Sequence, residues 1–346
     1  MSSIPDQLFE KPDLYWVKYA GNQAVFASMT RESYFQSIFT DSARIMASLP
    51  SPTLIELDKL LFAGDIRKPN PLPINFIFHT ANCGSTILSR ALDLPERTIA
   101  YREPYPLRQL GVEYALNDTN LDLSQWRRAL KVALLLLNRR YNTAEVPIVK
   151  TNIPVNFMVS ELLELIPDYR AVLLYSRLES FLVSVLKSPS RRKWAILVSN
   201  EVGRSIEPIL GLPINGIDSL SVSQRAAALW LAQIAIFQKI LPKNGKIYTL
   251  ESDHLFDKPE ETLFRVASLF GVTMSNKEVS EIVSGSLFQR HSKNPGIAYS
   301  VETRNSDQSR LYKMFYPEIQ EGMLWVEIVL QNRDITNVLS NSVFDI

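Results

Sequence analysis

Cysteine and histidine are scarce in this chain of 346 residues, which has one Cys and three His. One Cys cannot make an internal disulfide, so a secreted disulfide scaffold is excluded. One Cys with His79, His254 and His291 far apart in sequence argues against a dedicated zinc site. Glycine is short as well, 12 of 346 residues, about half the usual ~7%. That points to a helix-rich chain with few tight hairpins. Charge of one sign is missing: 37 Lys and Arg face 36 Asp and Glu, a net charge of +1. No global field gathers nucleic acid, and none is expected as a partner. Long apolar runs are absent too. The stretches 226–237, interrupted by Gln233, and 132–137 fall short of the ~20 residues a bilayer span needs. The opening residues MSSIPDQLFEKPD hold no apolar core of a secretory signal. The expectation is a cytoplasmic globular protein.

What is present is an alternation of strand and helix patterns. Residues 1–72 read as an N-terminal appendage, with short strands at 14–17 and 24–27 around Gly21-Asn22. A weak helix follows at 32–49. Leu54, Leu57, Leu60 and Leu61 predict one helix over 53–62. The Pro-rich run 69–73 marks the boundary of an α/β core at 73–290. Residues 74–78 form a continuous apolar strand, as expected for burial on both faces. Further strands are predicted at 98–101, 147–149, 170–175 and 246–250. Helices are predicted at 86–92, 124–140 with Ser124 as cap, 156–166, from 180, two within 191–241, and 259–270. This pattern predicts a three-layer core around a central parallel sheet of about five strands. Residues 291–346 form a basic loop and a helical tail, with an amphipathic helix at 317–330.

The most informative stretch is FIFHTANCGSTILSRAL, residues 76–92. A buried strand enters a small polar loop and then a helix. Loop N–H groups and the helix start converge on one point, where an anion is favoured. Gly84 permits close backbone approach, and Ser85 and Thr86 add hydroxyl donors. The first Gly and the Lys of the nucleotide-triphosphatase loop are both missing.

The run CGSTILSRAL resembles the 5′-phosphosulfate loop of sulfotransferases, [KR]-S-G-[ST]-[ST]. Those enzymes take a sulfuryl group from 3′-phosphoadenosine 5′-phosphosulfate (PAPS). Gly84, Ser85 and Thr86 match that motif. Asn82 stands where the family has a basic residue, and Cys83 replaces a Ser. Three further segments follow in the family's order, so that the resemblance spans roughly residues 74–272. Lys150-Thr151-Asn152-Ile153-Pro154 is similar to K-T-H-L-P, with Lys150 kept and Asn152, which cannot accept a proton, at the position of the catalytic His. LLYSRLESFLVSVLK, residues 173–187, is similar to the 3′-phosphate motif of an Arg at a strand end and a Ser eight residues on. Arg177 precedes Ser184 by seven, so Ser176 falls in the Arg register. Arg177 or Arg191/Arg192 supplies the cation. YTLESDHLFDKPEETLFRVASLFGV, residues 248–272, resembles the family's last strand, turn and helix.

The resemblance implies a sulfotransferase with PAPS as co-substrate, no metal, and a small-molecule acceptor bearing a hydroxyl or amine. Asn82, Cys83, Gly84, Ser85 and Thr86 would hold the 5′-phosphosulfate, and Lys150 the transferring group. Arg177 and Ser184 would hold the 3′-phosphate. Glu103, after the second strand of the core, is the candidate base, because some branches of the family use a Glu from this region. Arg290 and Lys293 would close over the nucleotide from the C-terminal basic loop. His79 is read as a support of the loop. Two alternatives stand beside this reading. A P-loop kinase needs the Lys that the loop lacks, and a non-catalytic scaffold would keep the fold without turnover.

Overall fold

The structure, a computed structural model, describes residues 7–47, 52–67, 73–119, 121–291, 294–298, 301–336 and 339–346. Two sheets organise it. The smaller is antiparallel: β1 (Leu14–Ala20), β2 (Gln23–Ser28) and β3 (Thr53–Glu56), in that order. The larger holds β4 (Ile74–His79), β5 (Thr98–Arg102), β6 (Val146–Lys150), β7 (Tyr169–Tyr175) and β8 (Ile247–Glu251). Its order is β5-β6-β4-β7-β8, and every pairing is parallel. The mixed α/β class with a five-stranded parallel sheet agrees with the sequence pattern.

All six residues of central β4 are buried. Side chains alternate across the pleat, so each strand feeds two cores. Phe76, Phe78, Tyr101, Val149 and Leu173 face one apolar cluster, which the helix Val222–Ile240 helps to fill. Ile77, Ile148, Val172 and Leu174 face the other, against Leu88 and the helix Pro259–Leu269. The small sheet joins the first cluster through Tyr15, Trp16 and Phe26.

Several local expectations are corrected. The residues 53–56 pair with β2, Val25 opposite Leu54, and the helix begins only at Leu57. Leu54 fits the helical period but is exposed; strand pairing overrides the pattern. The helix predicted at 32–49 is two short pieces, Arg31–Gln36 and Ser42–Ala47. Thr40 between them hydrogen-bonds through its N–H to the carbonyl of Arg102, at 2.7 Å. Asp122, not Ser124, caps the helix Leu123–Leu137, in a reciprocal capping box with Gln125. The segment 156–166 splits into Ile153–Asn156 and Val159–Glu164. Most of the Pro-rich boundary lies outside the described residues. At the far end, the C-terminal residues reach β8, with a parallel bridge from Thr249 to Ser342. No helix among the described residues is long and apolar enough to cross a membrane.

Strand order fixes where a ligand fits. The chain leaves β4 for β5 and β6 on one side, then returns to β7 on the other. Open parallel sheets bind ligands beyond the carboxyl ends of the strands at such a reversal.

Candidate active site

A cavity of about 520 Å³ occupies that position. Its wall takes residues at or just past the carboxyl end of every core strand: His79, Glu103, Lys150 and Asn152, Ser176, and Ser252. Its described lining carries five cations, Arg108, Lys150, Lys187, Arg191 and Arg304, and one carboxylate, Glu103. Seven hydroxyl groups from Ser and Thr join them. Such a wall selects an anion.

The loop after β4 is wound tightly. Ala81, Asn82 and Gly84 have φ of 69°, 55° and 91°, in the left-handed region that L residues rarely occupy. Strained backbone of this kind persists when its surroundings hold it. His79 is one holder: its Nδ1 accepts the Ala81 N–H at 3.0 Å, and its Nε2 donates to the Thr151 carbonyl at 2.8 Å. Both ring nitrogens are thereby engaged, and Lys150 Nζ lies 3.3 Å from the same Nε2, so the ring is fixed between the loop and β6. The His79 carbonyl accepts from Asn156 Nδ2 at 3.0 Å, and the same amide reaches Gln233 Oε1 at 2.7 Å. Asn156 and Gln233 were missed as supports. The signal was there: Gln233 is the single polar break in an apolar stretch, and it is fully buried.

Gly84, Ser85 and Thr86 line the cavity, as does Asn82. Cys83 does not. Its buried thiol donates to the Leu174 carbonyl at 3.2 Å, and burial pushes its pKa up. A nucleophilic thiol there is contrary to this environment. Gly84 is required by its protein neighbours as well. A Cβ would meet Leu255 at 2.8 Å and Phe256 at 3.0 Å, so the close approach is by side chains following β8. The helix after the loop, Ser85–Ala91, has only seven residues, so the loop and hydroxyl groups carry more of any anion contact than a helix dipole.

At the ends of β5 and β6 stands an ion pair. The Glu103 N–H donates to the Lys150 carbonyl at 2.7 Å, extending the ladder into a left-handed turn with φ 57° at Glu103. Lys150 Nζ in turn donates to Glu103 Oε1. The Lys150 side chain is 1% exposed and that of Glu103 is 26% exposed. Phe39, from the N-terminal segment, lies under the ammonium at 5.2 Å. Asn152 follows as N-cap of Ile153–Asn156 but its side chain does not cap. It is buried, and its Oδ1 has no partner among the described residues. Buried polar atoms are nearly always paired, so a ligand group is the natural partner. Ser176 at the end of β7 is the same case: buried, cavity-lining, with an unpartnered Oγ.

Arg177 is not brought into the site. Its side chain is 71% exposed and binds Glu251 Oε1 at 2.6 Å. The residues alternate at the strand end, and Ser176 takes the inward position. Ser184 does line the cavity, next to Lys187 and Arg191 rather than Arg177. Arg191 donates through Nη1 to Asn82 Oδ1, and Arg192 is held outside by Glu318. Arg290 sits in the two-residue strand Arg290–His291, paired with Asn294–Ala298. Its side chain and Lys293 lie outside the described residues. Arg304, from the helix Val301–Met314, lines the cavity instead. It stacks 3.9 Å over Phe256 and binds Asp253 at 3.1 Å.

No protein-family model and no curated protein matches the chain. Among solved structures it is similar to the sulfotransferase domain from the curacin biosynthetic pathway, at 12% identity and TM-score 0.43, over 72% of this chain and 98% of that one. The sulfotransferase domain from the Synechococcus PCC 7002 olefin synthase aligns at 15% identity and TM-score 0.42, over 72% and 96%. A sulfotransferase from Alicyclobacillus acidocaldarius aligns at 13% and 0.36, over 78% and 98%. At such scores, what this site does has to be derived from its own side chains.

Proposed function

We propose that the chain transfers a sulfuryl group from PAPS to a hydroxyl or amine of a small-molecule acceptor, in the cytoplasm and without a metal ion. The observation that carries this reading is the Glu103–Lys150 pair facing an anion-selecting cavity beside the loop 81–86. The residues fit such a donor. A cationic, hydroxyl-rich wall suits its phosphates, and the orphaned Ser176 Oγ awaits a polar partner.

Sulfuryl transfer resembles phosphoryl transfer: an in-line displacement with charge on the equatorial oxygens. The protein has to align the groups, balance that charge and remove one proton. Ser85 and Thr86 with the loop N–H groups hold the 5′ end. Ser184, Lys187 and Ser190 hold the 3′-phosphate in place of Arg177. Glu103 takes the acceptor's proton. Its partner then acquires a second task. As Glu103 is neutralised, the Lys150 charge loses its counter-ion and turns to the sulfuryl oxygens. The interaction is therefore stronger in the transition state than before it, which is what accelerates a reaction. Apolar Ile153, Pro154, Trp194, Leu197 and Val198 line the same cavity and suit an acceptor with an apolar body.

Calorimetric titration with the product nucleotide, adenosine 3′,5′-bisphosphate, tests the reading. Binding in the micromolar range is expected, and its absence at high micromolar concentration overturns the proposal. Glu103→Gln separates enzyme from scaffold. It should keep nucleotide affinity and abolish donor consumption with a panel of phenols and amines.

A further inference from the structure

The loop after β4 carries no cation of its own from Ala81 to Thr86. The leaving oxygen of a phosphosulfate nevertheless gains a full charge during transfer. Across the cavity the helix Pro189–Leu210 brings Arg191 to this loop. Its Nη1 donates to Oδ1 of Asn82, and both residues line the cavity. The helix start is anchored, since Ser188 Oγ accepts the Arg191 N–H at 3.4 Å. Asn82 is anchored too, in a left-handed conformation that Asn tolerates better than most residues. Arg108 and Arg304, also on the cavity wall, bind carboxylates away from this loop: Glu201 at 2.6 Å and Asp253 at 3.1 Å.

We propose that Arg191 is the cation of this loop, supplied by a second element, and that Asn82 is the positioning residue that holds it over the leaving oxygen. This rests on the phosphosulfate reading of the cavity. In the transfer, the acceptor's oxygen or nitrogen forms a bond to sulfur as the bridging S–O bond breaks. The electron pair of that bond stays on the bridging oxygen, which becomes a phosphate oxygen. The acceptor's proton passes to Glu103. Arg191 donates to the bridging oxygen as its charge grows, a charge-assisted contact strongest at that moment.

Calorimetry with two probes, adenosine 5′-phosphate and adenosine 3′,5′-bisphosphate, tests the assignment. Arg191→Ala should weaken both by ~10–100-fold, the loss of one hydrogen bond to a charged group. Arg191→Gln keeps a donor for Asn82 without the charge and should behave alike. Adding Asn82→Lys to Arg191→Ala gives the loop its own cation and should return most of the lost affinity and turnover. Unchanged adenosine 5′-phosphate binding in Arg191→Ala overturns the inference. So does a loss confined to the bisphosphate, which would put Arg191 on the 3′-phosphate, or a lowered melting temperature with no rescue by Asn82→Lys. A wild-type protein that binds neither probe overturns the sulfotransferase reading itself, and this inference with it.

Discussion

Two buried cations end neighbouring strands of the sheet, and their surroundings differ sharply. Arg102 closes β5 and Lys150 closes β6, opposite each other in the strand register. Arg102 is fully enclosed. Its guanidinium binds Asp93 at 2.7 Å, the Ser37 carbonyl at 2.8 Å, and the carbonyls of Tyr34 and Phe35. Burial pulls its pKa below the ordinary value, and Asp93 pulls it back up. Lys150 is equally buried but has one carboxylate, the His79 ring at 3.3 Å, an aromatic face and an open cavity. The planar fork of Arg suits a fixed, many-point fastening, and the compact ammonium of Lys suits a charge that changes partners. One cation ties the N-terminal segment to the sheet; the other is held in reserve for chemistry.

The largest effect tests the fastening. Arg102→Ala takes from the Asp93 carboxylate, 1% exposed, one of its two arginine partners, leaving Arg31 at 2.5 Å, and unpairs the carbonyls of Tyr34, Phe35 and Ser37. The expected loss is ~3–5 kcal/mol of unfolding free energy, as for breaking a buried ion pair. Urea denaturation measures it. A stable Arg102→Ala protein that has lost only turnover would dissolve the distinction between the two cations.

Lys150→Met tests the other half. Methionine fills a similar volume, and the Glu103 left behind is already partly solvent-exposed. The stability cost should stay within ~1–2 kcal/mol, well under that of Arg102→Ala. Donor consumption should fall by ~100-fold or more, in the range of removing a preorganised charge from a transition state. Equal damage to both properties would make Lys150 a second fastening and would sharpen the question of what Glu103 does.

The difference between these cations was only partly legible in the sequence. Period and strand order were readable because β4 is apolar throughout and the alternation of strand and helix is regular. Glu103 could be singled out by its place after a strand, and Lys150 by the resemblance of its segment to K-T-H-L-P. Arg102 carries the same sequence signal, a cation at a strand end, yet its partners are Asp93 and the carbonyls of residues 34–37, which no local pattern connects to it. Phe39 beneath Lys150 was invisible for the same reason. Ser184 and Arg191 were named from the sequence, but Ser180, Lys187 and Ser190 of the cavity wall were not, being scattered over one helix and the start of the next. Arg177 misled because a strand end alternates sides, and a slip of one residue moves a side chain from the cavity to solvent.

Arg177 supplies the smallest effect and the third member of the series, a strand-end cation that is neither fastened inside nor facing the cavity. Its bond to Glu251 Oε1 is exposed, and such pairs contribute ~0–1 kcal/mol. Arg177→Ala should therefore leave the urea midpoint nearly unchanged. It should also leave affinity for adenosine 3′,5′-bisphosphate within about twofold, because the guanidinium points away from the lining. Lys187→Ala, from the cavity wall itself, should weaken the same nucleotide by ~10-fold, as loss of a charged hydrogen bond does. Titrating both variants side by side decides which cation reads the 3′-phosphate. A tenfold loss in Arg177→Ala with none in Lys187→Ala would require the end of β7 to turn Arg177 inward when nucleotide binds. Exposure of a strand-end cation would then no longer separate an idle residue from a binding one.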